Sequence, residues 1–137
     1  MADEFARRRQ RLLRSLGKGD AAVFVSAREQ NRNGDVDHQF RQDSTFFYLT
    51  GFEEPDAVAV LRPGADNPYV LLVRPHDPVM AVWVGPRAGV EGAVERHGAN
   101  AAFPIDDLES QLRTLLDGAH TIWFSLGRDE GGSRVER

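Results

Sequence analysis

Residues 40–55 read Phe40-Arg41-Gln42-Asp43-Ser44-Thr45-Phe46-Phe47-Tyr48-Leu49-Thr50-Gly51-Phe52-Glu53-Glu54-Pro55. Four of the chain's eight phenylalanines fall here, with Tyr48, one of two tyrosines. So much aromatic area in one short segment must pack against most of the remaining core. Asp43 or Ser44 offers a short side-chain oxygen to the free N–H groups of a first helical turn. Gly51 supplies a left-handed stop just past the helix. Such a helix turns Phe46 and Leu49 inward, with Phe47 a third candidate for that face. Phe52 and Pro55 lead into an apolar run at residues 57–61.

Upstream, residues 3–16 have the spacing of an amphipathic helix, with Asp3 as cap and Phe5, Leu12, Leu13 and Leu16 as an apolar stripe. Gly17 and Gly19 end it. Residues 21–26 are short, apolar and β-branched, a buried strand. Residues 27–39 form a polar loop with an Asn33-Gly34 turn signal, long for a compact domain. Downstream, residues 57–61 and 69–73 flank the turn signals Pro63-Gly64 and Asn67-Pro68 and predict a hairpin. Residues 79–84 fit a strand or a short helix equally. A helix over 89–97, a short strand over 101–103, a helix capped by Asp106 or Asp107 and a strand over 121–125 follow. Leu108, Leu112, Leu115 and Leu116 mark the inner face of that last helix. The expected architecture is α/β, a mixed sheet of five or six strands flanked by helices, over residues 1–126. Residues 127–137, with Gly131-Gly132-Ser133, read as the start of an interdomain linker.

Composition narrows the function. A length of 137 residues suits one domain with a real core. A net charge of −4 gives no global field for nucleic acid or anionic membranes. The arginines at 7, 8, 9, 11 and 14 therefore read as a solvated helix face with ion-pair partners rather than a nucleic-acid contact. There is no cysteine, hence no disulfide framework and no thiolate chemistry. No apolar run approaches the roughly 20 residues of a membrane span, and the N-terminus lacks a secretory core. The default location is cytoplasmic.

The residues themselves yield no catalytic constellation. His38, His76, His97 and His120 include no His-x-x-x-His pair and no His-Glu-x-x-His. His97 and His120 read as structural. Asp35-Val36-Asp37-His38 is at most a weak chelate, because adjacent flexible ligands cost ordering entropy. Gly85, Gly89 and Gly92 do not form a phosphate cradle, and no serine sits in a Gly-x-Ser-x-Gly elbow. Glu53-Glu54 and Asp106-Asp107 lie at turns or helix starts, where capping accounts for them.

The order Arg41-Gln42-Asp43-Ser44, then residues 46–52, then Glu54-Pro55 resembles the N-terminal domain of Xaa-Pro aminopeptidase (aminopeptidase P), of the creatinase and prolidase superfamily (peptidase family M24). Trp83-Val84-Gly85-Pro86-Arg87, Gly89, Gly92 and the basic opening helix extend the resemblance over about residues 3–126. It implies a creatinase-type domain with a ribonuclease H-like motif, itself non-catalytic. It further implies a metalloprotease, a hydrolase releasing the residue before proline, whose two manganese ions (or another divalent metal) sit in a C-terminal catalytic domain. That domain's two aspartates, one histidine and two glutamates are not supplied here, and no cofactor is expected in this segment. Peptides with proline at the second position, the chain's own catalytic domain and a homo-oligomer are the implied partners, with no nucleic acid and no membrane. Trp83, Arg87, His38 and Arg41 are the expected substrate-access or interface residues. Gly85 and Pro86 fix the backbone between Trp83 and Arg87, and Trp and Arg often anchor interfaces. The alternative is a stand-alone binding or interaction module that reuses the fold.

Overall fold

The computed structural model describes residues 2–27, 42–75 and 88–125. Among them, five strands form one mixed sheet. In chain order the elements are α1 (Ala2–Ser15), β1 (Asp20–Val25), α2 (Ser44–Thr50), β2 (Val58–Leu61), β3 (Tyr69–Val73), α3 (Gly89–His97), β4 (Ala101–Pro104), a 3-10 turn (Ile105–Asp107), α4 (Leu108–Leu115) and β5 (Thr121–Ser125). The spatial order is β4-β3-β2-β1-β5. The expected hairpin is present: β2 pairs antiparallel with β3, Val58 opposite Leu72 and Leu61 opposite Tyr69. β1 runs antiparallel to β2, and the outer pairs β3–β4 and β1–β5 are parallel. The connection from β3 through α3 to β4 is thus a β-α-β unit, which needs a crossover because its strands are parallel.

β2 and β3 are buried along their whole length. Central strands covered on both faces read as continuous apolar runs, which is why Val-Ala-Val-Leu and Tyr-Val-Leu-Leu-Val show no polar alternation. The period of two still sorts their side chains. Ala22, Phe24, Ala59, Leu61, Tyr69, Leu71 and Val73 face α1, α2 and α3. Val23, Val25, Val58, Val60, Val70 and Leu72 face α4, meeting Leu108, Leu112, Leu115 and Leu116. Helices therefore lie on both faces of the sheet. On the first face Ala22, Ala57, Ala59, Ala93 and Ala99 are buried, small enough to admit Phe46, Phe52 and Tyr69. Phe46 and Phe52 meet edge to face with ring centres 6.5 Å apart. Of the aromatic stretch, Phe46 and Phe52 fill the core of this face, whereas Phe47 and Tyr48 are exposed.

Several local readings needed correction. Phe47 does not join the inner face of α2. It is partly exposed and packs edge-on against Phe5 of α1, ring centres 5.5 Å apart. Arg9 is not on a solvated face. It is buried, and its guanidinium donates to the Leu49 carbonyl at 2.9 Å. Asp107 precedes α4 without a side-chain capping bond. The far end of α4 is held instead by Arg62, which donates to the carbonyls of Leu115 and Asp117. A cation there suits the negative end of the helix. Residues 79–84 lie outside the described residues, as does the expected linker at 127–137.

Candidate functional site

Trp83, Arg87, His38 and Arg41 all lie outside the described residues, and so does Asp35-Val36-Asp37-His38. What the structure defines is the corner from which both segments depart. Residues 28–41 leave from Ala27 and return at Gln42, and residues 76–87 leave after Pro75 and return at Ala88.

Gln42 ties the first pair of ends. Its Oε1 accepts from the Ala27 N–H at 2.8 Å and from its neighbour Asp43 at 2.9 Å. Its Nε2 donates to the carbonyls of Phe52 and Glu54, at 3.0 and 2.9 Å. One amide, with two donors and an acceptor oxygen, therefore joins the end of β1, the start of α2 and the chain leaving α2. The cap beside it is the one expected from the sequence. Asp43 accepts from the Phe46 N–H at 2.9 Å, and Gly51 closes α2 at φ 67°.

Glu54 ties the second pair. Its Oε2 accepts from the Ala88 N–H at 2.7 Å, at the head of α3. Its Oε1 is buried, accepts no hydrogen bond, and lies 3.8 Å from Arg74 Nη2. The Glu54 carboxylate thus does cap a helix, but a helix more than thirty residues onward, not a neighbouring turn. Below it, Ser26 Oγ accepts from the Ala57 N–H at 2.8 Å and fixes the end of β1 against the start of β2.

His97, at the end of α3, closes the inner side of this corner. Its ring meets Phe52 edge-on, centres 4.9 Å apart. Burial holds its pKa below the ordinary imidazole value, and the Arg96 charge adds to that. The Glu54 charge and a hydrogen bond to the Thr50 backbone oppose it. A half-buried imidazole against an aromatic edge reads as packing. His120 is likewise against backbone: a Cβ on Gly19 would fall 2.4 Å from its ring.

Gln42, Glu54 and Arg9 are the residues whose roles the sequence hid. Gln42 and Glu54 stood inside the quoted motif, and the available signal was a polar amide and a carboxylate embedded in an otherwise aromatic, core-forming stretch. Arg9 carried no signal beyond its helical position.

Among the described residues no three His, Cys, Asp or Glu side chains are grouped to hold a metal ion, so these residues do not fit a dinuclear metal centre. The described corner is a scaffold in which Gln42 and Glu54 join Ala27 and Ala88 to the chain leaving α2.

This architecture is that of an α/β domain with helices on both faces of a mixed five-stranded sheet. A family model for the aminopeptidase P N-terminal domain matches residues 5–123. The chain belongs to the aminopeptidase P N-terminal domain family. It is 38% identical over 126 residues to the Xaa-Pro aminopeptidase of Escherichia coli, covering 90% of this chain and 29% of that protein. It is 30% identical over 138 residues to human Xaa-Pro aminopeptidase 3, covering 91% of this chain and 27% of that protein. The solved structure of Pseudomonas aeruginosa aminopeptidase PepP superposes with a TM-score of 0.89 at 42% identity, over 96% of this chain and 30% of that one. The chain thus spans less than a third of the length of these relatives. No helix among the described residues is long and apolar enough to cross a membrane.

Proposed function

We propose that this chain is the non-catalytic N-terminal domain of a metal-dependent Xaa-Pro aminopeptidase, and that it shapes substrate access and oligomer assembly. The observation that carries the reading is the match of residues 5–123 to the aminopeptidase P N-terminal domain, at a length less than a third of the relatives'. In this proposal the hydrolytic step, release of the residue before proline, belongs to polypeptide that follows the chain. The manganese or other divalent metal ions belong there too. One solved relative is a zinc-substituted E. coli aminopeptidase P in complex with product, which supports metal dependence.

The contribution of this domain rests on the corner built by Gln42 and Glu54. Both segments that carry His38, Arg41, Trp83 and Arg87 depart from it, which supports a joint role in receiving peptide or a neighbouring subunit. A cytoplasmic location accords with the same reading.

The test compares the 137-residue chain with the protein encoded by the whole reading frame, both assayed on Xaa-Pro peptides with manganese. The expected result is turnover by the longer protein and none by the chain alone. Turnover by the chain above a metal-only control would overturn the non-catalytic assignment. A longer protein that folds, binds manganese and leaves Xaa-Pro peptides intact would favour a binding module instead.

A further inference from the structure

Strand β5 differs from the other four. It is an edge strand paired with β1 alone among the described residues. Its sequence, Thr-Ile-Trp-Phe-Ser, is uncharged and carries three large apolar side chains. All three are open to solvent, Ile122 by 37%, Trp123 by 57% and Phe124 by 45%. The register with β1 assigns their faces. Trp123 pairs with Ala22 and lies on the α1–α3 side, and Ile122 and Phe124 pair with Ala21 and Val23 on the α4 side. None of the three belongs to either core cluster of the described residues. An edge left free in the working protein is ordinarily blunted by lysine, proline or a bulge, and β5 has none of these. The opposite edge strand, β4, ends in Pro104.

We infer that β5 is a docking surface for the polypeptide that follows Arg137 in the whole reading frame, which lays apolar side chains over both of its faces. This rests on the reading of the chain as the N-terminal part of a longer enzyme. Three observations select that occupant. Relatives are more than three times as long as the matched region, so ample polypeptide is available. β5 is the last described element, and consecutive elements usually lie next to one another. A second copy joined edge to edge would satisfy the free backbone groups of β5, yet leave Trp123 on one face and Phe124 on the other uncovered. Burying both takes added layers, not an added strand.

The 137 residues hold two tryptophans, so Trp83→Phe, with any tryptophan beyond Arg137 in the longer protein also changed to Phe, leaves Trp123 as the sole indole reporter. Acrylamide quenching is measured on this variant of the 137-residue chain and of the longer protein. The expected result is a severalfold smaller quenching slope in the longer protein. Equal slopes in two folded monomers overturn the inference, as does shielding that grows with concentration in both, which would identify a second copy as the occupant. A reading frame that closes at Arg137 removes the occupant and also overturns it. Ile122→Ser with Phe124→Ser, made with both tryptophans retained, gives an independent readout. The melting temperature should fall in the longer protein and hardly move in the shorter, and equal shifts overturn the docking. Activity of the unsubstituted longer protein separates the two readings. An active enzyme with Trp123 open sinks the docking alone, and a shielded Trp123 without Xaa-Pro turnover sinks the enzymatic reading alone.

Discussion

Gln42 donates from Nε2 to the backbone carbonyl of Glu54 at 2.9 Å, so the side chain that closes residues 28–41 is bonded directly to the residue set between Arg74 and Ala88. Two segments distant in sequence therefore share one anchor. Gln42→Ala would strip partners from two N–H groups and two carbonyls in a partly buried place. We expect a loss of about 2–3 kcal/mol, since a few net hydrogen bonds and their stranded partners are removed. Gln42→Glu should be nearly as harmful, because it turns an acceptor toward two carbonyls. Urea unfolding of both variants checks this. A midpoint that stays put in both would mean the anchor is not structural.

Phe46 and Phe47 are neighbours with opposite fates. Phe46 is fully buried, whereas Phe47 is 36% exposed. Phe46→Ala should cost about 3–5 kcal/mol, the usual loss for a buried phenylalanine. Phe47→Ala should cost clearly less, because only its edge contact with Phe5 is lost. Thermal melts of the two decide. Equal shifts would contradict the orientation of α2.

The contrast between these two residues also marks what a sequence can carry. The hairpin, the strand limits of β3 and β5, the extent of α3 and the α2 cap were legible, because each depends on local periodicity or on Asp and Gly at a helix end. Phe47 was not, since a seven-residue helix leaves its inner face ambiguous and only the position of Phe5 on α1 settles it. Arg9 was hidden for the same reason: nothing local distinguishes it from Arg7 and Arg8, which pair with Glu4 at the surface. The roles of Gln42 and Glu54 depend on Ala27 and Ala88, contacts that sequence spacing does not encode. The exposure of β5 was equally invisible, because an apolar strand reads as a buried one.

Gly51 is constrained twice. It stands at φ 67°, and a Cβ there would fall 2.6 Å from the Phe5 ring. Gly51→Ala should cost at least about 1–2 kcal/mol from the left-handed backbone alone, with displacement of Phe5 adding to it. Chemical denaturation measures the loss. A fluorine label on Phe5 should report a changed environment in the variant, and an unchanged label signal would argue against the close approach of α1.

His97 gives the fold a pH dependence of definite sign. Its folded pKa lies below the ordinary value, chiefly through burial. The groups facing it are Glu54 after α2, Arg9 on α1 and Arg96 on its own helix. The unfolded chain binds the proton more readily, so stability is fully held above about pH 6.5 and declines as pH falls from there toward the folded pKa. His97→Gln should flatten that limb in melts across pH 5–8, leaving the carboxylate-driven loss at lower pH. A variant with the parent's slope between pH 5 and 7 would remove His97 as its source.

Arg9 and Tyr69 form the most unusual pair in the core. The guanidinium lies 4.1 Å from the centre of the Tyr69 ring while donating to the Leu49 carbonyl. The Tyr69 hydroxyl is buried and makes no hydrogen bond. Burial raises the phenol pKa to about 12, with the Arg9 charge pulling the other way, and burial lowers that of Arg9. Because the neutral phenol is favoured in the fold, its contribution is intact below the ordinary value of about 10 and is lost as pH rises toward 12. Tyr69→Phe keeps the ring beneath the cation and deletes a hydroxyl that satisfies nothing. It should leave the melting temperature at neutral pH unchanged or higher, since an unbonded buried hydroxyl carries a desolvation cost. It should also remove the alkaline loss between pH 10 and 12. Arg9→Met keeps much of the volume but deletes a charge-assisted hydrogen bond and the cation–π contact. It should destabilise by about 2 kcal/mol, after the relief of burying no charge is counted. Combining Tyr69→Phe with Arg9→Met should cost about as much as Arg9→Met alone, because the arginine works through the ring and the Leu49 carbonyl, not the hydroxyl. A Tyr69→Phe loss as large as that of Arg9→Met would show that the hydroxyl has a bonded partner and would overturn this account of the pair.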